Sequence, residues 1–332
     1  MTRGRWIRLS LVSLLALAAL AVILRDTDWA AFIAALAGIR PESLVKVILL
    51  QSIALAGRGV RWWSLLNSDG RIPLFNALRG TAIGAIGNHC LPARGGELLR
   101  AYMVGRVYSG GTEFALGTIV LERVLGAVLL GVITFGVVLA WPDLPRTILG
   151  TAMAFLAAGM AIVAALVVWP RLEQRTAAVA ARLVPSWLTR RLGPSAVHML
   201  AGVMVLQRPR SLVIFMTASL VTWGLDIAAV MVLGSALGIA LSPGEGFLFL
   251  AGIAMSGAIP ALPGNLGVYE LASLAILSPL GVPKPLGLAF ALTYKGTGIL
   301  QSLIWGGGAW FSMGAVRRQA RCRDDGGEGW NN

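Results

Sequence analysis

The chain has 332 residues, 57% of them hydrophobic and only 13% charged, with a mean hydropathy of +0.77. A soluble domain carries about twice that charged share, so the composition excludes a soluble enzyme and a disordered chain. The apolar residues run in long blocks rather than alternating, which excludes an outer-membrane barrel. The net charge of +13 then marks cytoplasmic loops and contact with anionic headgroups rather than nucleic-acid binding, because no soluble segment interleaves aromatic and basic residues.

Arg3, Arg5 and Arg8 flank an apolar run at residues 7–24, which reads as a signal anchor retained as the first span. A short loop with Arg25, Asp26, Asp28 and Arg40 leads to a second span at 44–66. That span carries Lys46 near one end and Arg58 and Arg61 near the other, beside an interfacial Trp62–Trp63 pair. Residues 72–106 are apolar enough to enter a membrane, yet Gly80, Gly84, Gly87, Pro92, Gly95 and Gly96 interrupt them and leave no clean run of about 18 apolar residues. The pattern predicts two short helices meeting at a break, a geometry tolerated only where protein or a wet cavity surrounds the backbone.

Spans at 114–140 and 146–169 follow, joined by a tight Pro-containing turn. Residues 171–210 hold Arg171, Arg175, Arg182, Arg190, Arg191, Arg208 and Arg210 among apolar residues at helical spacing, the pattern of an amphipathic helix on an anionic cytoplasmic surface. A span at 211–238 precedes a second broken region, 247–280, interrupted by Pro260, Pro263, Gly264, Gly267 and Pro279. The last span is 285–313, and Arg317, Arg318, Arg321 and Arg323 open a tail that fades into Gly, Asp and Asn.

These elements define an all-α, polytopic transmembrane helical bundle of six full spans plus two broken re-entrant hairpins. One integral membrane domain is expected over 1–316, with the basic segment 171–210 inside it, and a basic then disordered cytoplasmic tail over 317–332. Basic residues at both ends place both termini in the cytoplasm of a bacterial inner membrane. The first hairpin then dips in from the cytoplasm and the second from outside. Leu91-Pro92-Ala93-Arg94-Gly95-Gly96-Glu97 can be laid on Leu262-Pro263-Gly264-Asn265-Leu266-Gly267, with Glu270 three residues on. Paired Gly/Pro-interrupted segments in two halves suggest an inverted repeat with a transporter-type site near the midplane.

Charge inside a bilayer costs several kcal/mol by insertion scales, so each such residue is a candidate for function. The candidates are Arg94, Glu97, Arg100, Glu122, Arg123, Asp226, Glu270 and Lys295. A helix starting near Gly96 would aim its amides into the break, beside Arg94, and favour a phosphate or carboxylate there. Arg100 lies at i+3 from Glu97 and can pair with it. Glu122 can meet Arg94 or Arg100, and Arg123 can meet Glu97. Asp226 and Lys295 are candidates for a buried ion-coupling pair, and Asn265 for the cap of a helix holding Glu270 one turn inside. Cys90, Cys322, His89 and His198 form no ligand spacing, so neither metal nor cofactor is expected. No hydrolase, zinc-protease or phosphate-loop motif occurs, which favours transport over catalysis.

Asn88, Pro92, Arg94, Gly96, Glu97 and Arg100, followed by Leu121-Glu122-Arg123 and by Ile259-Pro260, Pro263-Gly264, Gly267 and Glu270, resemble the signatures of the lysylphosphatidylglycerol synthase transmembrane region, also termed the flippase-like family. Order and spacing agree over nearly the whole chain. Lys295 stands where an arginine is common, and Asn265 where a glycine is frequent. The resemblance implies a lipid-handling helical bundle with two re-entrant segments and a substrate site built from these residues. The chain ends about twenty residues after its last span, so the resemblance is to a stand-alone membrane part without the soluble synthase domain. The implied partners are membrane lipids: an anionic phospholipid, a hopanoid or a polyprenyl-phosphate lipid. A separate lipid synthase or glycosyltransferase is a further implied partner. An intramembrane transferase acting on lipid phosphate and a non-transporting scaffold remain as alternatives.

Overall fold

The computed structural model describes residues 21, 23, 25, 27–67, 72–91, 95–106, 111–140, 209–257 and 263–325, and among them every regular element is helical. In chain order these are α1 (Trp29–Ala37), α2 (Pro41–Leu66), α3 (Leu74–Cys90), α4 (Gly96–Gly105), α5 (Gly111–Ala140), α6 (Pro209–Ala236), α7 (Pro243–Ser256), α8 (Val268–Leu277) and α9 (Lys284–Asp325). Single 3₁₀ turns at Pro263–Asn265 and Ser278–Leu280 flank α8.

Four of the six expected full spans fall on α2, α5, α6 and α9. The stretches 7–20, 146–169, 171–208 and 326–332 lie outside the described residues, as do Pro92, Arg94 and Pro260. By length and composition, α2, α5 (over Gly111–Val137) and α6 can cross a membrane. The helix α9 is longer still, but it buries Thr297, Gln301 and Ser302 on its inner side, which lowers its hydropathy. It continues past 313, so the basic stretch 317–323 extends the helix. The expected loop before α2 contains a helix, because the Asp28 carboxylate accepts the amides of Ala30 and Ala31 at 3.0 and 3.1 Å and so caps α1.

Side-chain contacts fix the directions of the elements. Gly57 faces Thr222, Arg58 meets Asp226 and Leu65 packs on Phe215, so α2 and α6 run antiparallel along a long contact. Where Gly57 stands, a Cβ would lie 2.7 Å from the Thr222 hydroxyl, so glycine sets the closeness of this pair. The helices α3 and α4 fold back on each other: Gly87 and Gly84 lie against Gly96, and Gly80 against Val104. Likewise α7 and α8 form a hairpin, with Gly252 against Ile276 and Asn265 bonded to Ser256. The longest of these four helices, α3, has 17 residues. That is about 25 Å of rise, short of the roughly 30 Å hydrocarbon core. Neither hairpin therefore has a helix long enough to span that core.

The first hairpin follows α2 directly and enters from the side where α2 ends. The second follows α6, which ends at the opposite side. Their tips meet: Gly264 of the 3₁₀ turn faces the His89 carbonyl at the end of α3. The order helix, hairpin, helix thus occurs twice with opposite sense, as α2, α3–α4, α5 and as α6, α7–α8, α9. Val45, Leu49 and Ile53 form an exposed apolar stripe on α2 at one-turn spacing, while Gln51 and Trp62 are buried. This helix is apolar outward and polar inward, the reverse of a soluble surface helix.

Candidate functional site

Three helices converge on Glu122 of α5. Arg61 of α2 donates to Oε1 through Nη2 at 2.7 Å and Nε at 3.2 Å, and Arg100 of α4 donates to Oε2 at 2.7 Å. Arg100 and Glu122 are buried. The Arg100 guanidinium lies 4.6 Å from the Trp62 ring centroid, and the Trp62 indole N–H donates to the Thr118 hydroxyl at 3.1 Å. Room for Arg100 comes from Gly84, where a Cβ would stand 3.0 Å from the arginine Cδ. Arg123, one residue on from Glu122, donates to Glu97 in the first turn of α4.

Glu97 and Arg100 consequently do not pair with each other. Neighbouring residues on a helix point about 100° apart, and α5 presents Glu122 to one side chain of α4 and Arg123 to the other. Of the two partners expected for Glu122, Arg100 is present and Arg94 lies outside the described residues; the expected Arg123–Glu97 contact is present. Asp226 and Lys295 do not pair either. Arg58 donates through Nη2 to both Asp226 carboxylate oxygens at 2.8 and 3.0 Å, while Lys295 Nζ donates to Glu270 at 2.8 Å. Antiparallel packing of α2 on α6 presents the arginine to Asp226 first, and the second hairpin inserts Glu270 in front of Lys295.

At the second break, Gly264 and Gly267 have φ of +70° and +83°, backbone that glycine adopts without steric cost. Gly267 is the N-cap of α8, and its amide donates to the Glu270 carboxylate at 2.7 Å. Asn265 is not the cap. Its side-chain amide donates to Ser256 Oγ at 2.9 Å and ties the turn to the end of α7. Glu270 thus holds both its own helix start and Lys295, whose ammonium also lies 4.7 Å from the Tyr269 ring centroid. At the first break, Asn88 abuts Gly96, and its buried Oδ1 has no hydrogen-bond partner among the described residues. Pro263 lies in the 3₁₀ turn before α8.

The two hairpins carry equivalent ion pairs. In each, the returning helix has a glutamate in its first turn, Glu97 on α4 and Glu270 on α8. Each glutamate takes a cation from the following long helix about three turns from its start, Arg123 on α5 and Lys295 on α9. Their environments differ. The Arg123 side chain is 51% exposed and that of Lys295 only 9%.

Sequence reasoning placed Arg58 and Arg61 at an interface, whereas the fold turns them inward as partners of Asp226 and Glu122. It also passed over Gln51, which donates to the Tyr294 carbonyl at 3.3 Å. The signal was available: Gln51, Arg58 and Arg61 recur at spacings of seven and three, along one side of an otherwise apolar helix. Gln51 and Arg61 lie about 15 Å apart along α2, so polar groups reach through roughly half the hydrocarbon thickness.

A helical membrane bundle in which two helical hairpins of opposite sense meet among buried charges is the class this geometry defines. The chain belongs to the family described as the lysylphosphatidylglycerol synthase transmembrane region, whose model matches residues 6–306. It is also similar to a protein named glycosyltransferase AglD, from Haloferax volcanii, at 25% identity over an alignment 356 positions long that covers 94% of this chain and 56% of AglD. The chain thus spans about half the length of that relative. No solved structure matches it.

Proposed function

We propose that this membrane protein moves a phosphate-bearing or headgroup-modified lipid between the leaflets of a bacterial inner membrane, with both termini in the cytoplasm. One observation carries the reading: two equivalent glutamate–cation pairs stand at two hairpins of opposite sense, one pair open and the other closed. In an inverted repeat, the two halves can exchange conformations and expose a shared site to each side in turn. The first pair, Glu97–Arg123, then opens toward the side where α2 ends, and Glu270–Lys295 is the closed gate. Asn88, Gly96, Glu97, Arg100, Glu122 and Arg123, with Pro92 and Arg94 beside them, contribute the headgroup site from that side. Pro263, Gly264, Gly267 and Glu270 form its opposite wall. Asp226 with Arg58 holds the two repeats in register.

The test is leaflet exchange of fluorescent phosphatidylglycerol, and of a short polyprenyl-phosphate sugar, in proteoliposomes bleached from outside. The wild-type chain should accelerate exchange of at least one lipid over protein-free vesicles. Arg123→Ala, whose side chain is half exposed, should slow it tenfold or more while the protein stays folded. Exchange at the protein-free rate for every lipid sinks the proposal.

The likeness to AglD favours a second reading, group transfer onto a lipid phosphate with Glu97 or Glu122 as base. Both Glu122 oxygens are already engaged by arginines, which suits a structural anchor better than a proton acceptor. Formation of a glycosylated lipid by the pure protein from a sugar-phosphate donor would decide for that reading.

A further inference from the structure

We infer that the open crevice at the start of α2 is a second dock for a phosphate-bearing lipid headgroup, at the membrane face opposite the Glu97–Arg123 gate. The inference rests on the lipid-handling reading above and adds a binding site to it.

The crevice encloses about 630 Å³ between the beginning of α2 and the end of α6. Arg40, Ser43 and Lys46 line one side, and Met231, Val232 and Ser235 the other. It therefore offers two cations and two hydroxyls, a donor set matched to phosphate oxygens. Among the described residues, no carboxylate lines it. Glu42, in the same turn, is exposed and outside the lining, and the Asp28 carboxylate is engaged by the Ala30 and Ala31 amides. Among the described residues, neither Arg40 nor Lys46 has a carboxylate within ion-pair distance, in contrast to Arg58, Arg61, Arg100, Arg123 and Lys295, which all do.

The surroundings favour a lipid over a free anion. Val45 and Leu49 flank Lys46 on α2 with 55% and 56% of their surface exposed, and Met231 and Val232 continue the apolar wall. A headgroup in the crevice would leave its acyl chains along that stripe. Along α2, Lys46 lies about 22 Å and Arg40, its N-cap, about 31 Å from Arg61 of the Arg61–Glu122–Arg100 cluster by helical rise. The crevice therefore stands at the end of α2 remote from that cluster.

Native mass spectrometry of the purified full chain, equilibrated with phosphatidylglycerol in detergent, tests this. Wild type is compared with the double variant Arg40→Gln/Lys46→Gln and with the charge-conserving Arg40→Lys/Lys46→Arg. The number of tightly retained phosphatidylglycerol molecules should fall by one in the first and hold in the second. Both positions are exposed, so thermal unfolding should not shift. An unchanged count in the Gln variant overturns the dock, whatever the exchange rate. Displacement of the retained molecule by 10 mM sodium phosphate overturns the lipid assignment in favour of a free anion site. A count that falls by one in a protein showing no leaflet exchange for any lipid leaves the dock standing and removes the transport reading.

Discussion

At the scale of single residues, Glu122 is the hub. Its two oxygens hold Arg61 and Arg100 from two helices. Removing one partner of a buried ion pair costs about 3–5 kcal/mol, because the partner charge stays buried and unmatched. Glu122→Ala strands two cations, so it should lower the unfolding midpoint in detergent far more than Arg123→Ala, whose side chain is half exposed. Thermal scans of the two variants side by side check this, and equal shifts would show that the exposed pair is as structural as the buried one. Asp226→Ala should behave like Glu122→Ala by stranding Arg58, while replacing both Arg58 and Asp226 with Leu should recover most of the lost stability.

At the scale of elements, glycines determine how closely the hairpins fold. A Cβ at Gly96 would stand 2.1 Å from the Gly84 carbonyl oxygen and 2.5 Å from the Asn88 amide nitrogen. Both are backbone atoms of α3, so α4 must move away. Gly96→Ala should cost roughly 1–3 kcal/mol by overpacking and should also separate Glu97 from Arg123. Gly126→Ala, on α5, meets nothing within 4 Å and serves as the matched control. Lipid exchange lost in the first variant and kept in the second would tie the site to the hairpin fold. Preserved exchange and stability in Gly96→Ala would show that the contact of α3 with α4 is not required.

At the scale of the molecule, the opposed hairpins fix which ends share a face. The helix α2 begins where α6 ends, and α5 begins where α2 ends. The proposed orientation, with both termini in the cytoplasm, requires Glu42 to face outward and Glu113 inward. In a background with Cys90 and Cys322 replaced by Ser, Glu42→Cys should react with a membrane-impermeant maleimide in intact cells, and Glu113→Cys only after permeabilisation. Reversed labelling would turn the orientation over and exchange the faces of the two docks.

The sequence by itself determined the membrane class, the two broken regions and most of the charged residues of the site. The reason is physical: lipid forbids unpaired backbone and unpartnered charge, so Gly/Pro breaks and buried Arg, Glu, Asp and Lys stand out in any apolar chain. The motif residues from Asn88 to Glu270 were legible for that reason, and so were the Glu122–Arg100 and Glu97–Arg123 contacts, which link neighbouring elements. The tertiary structure decided everything that depended on distant packing. It gave Asp226 to Arg58 and Lys295 to Glu270, turned Arg61 from an interface into the core, and made Gly267 rather than Asn265 the cap of α8. It also brought Gly264 to His89, so that the two breaks meet. A one-dimensional pattern records which charges need partners, but partner choice follows from which helix faces the closest approach of backbones brings together.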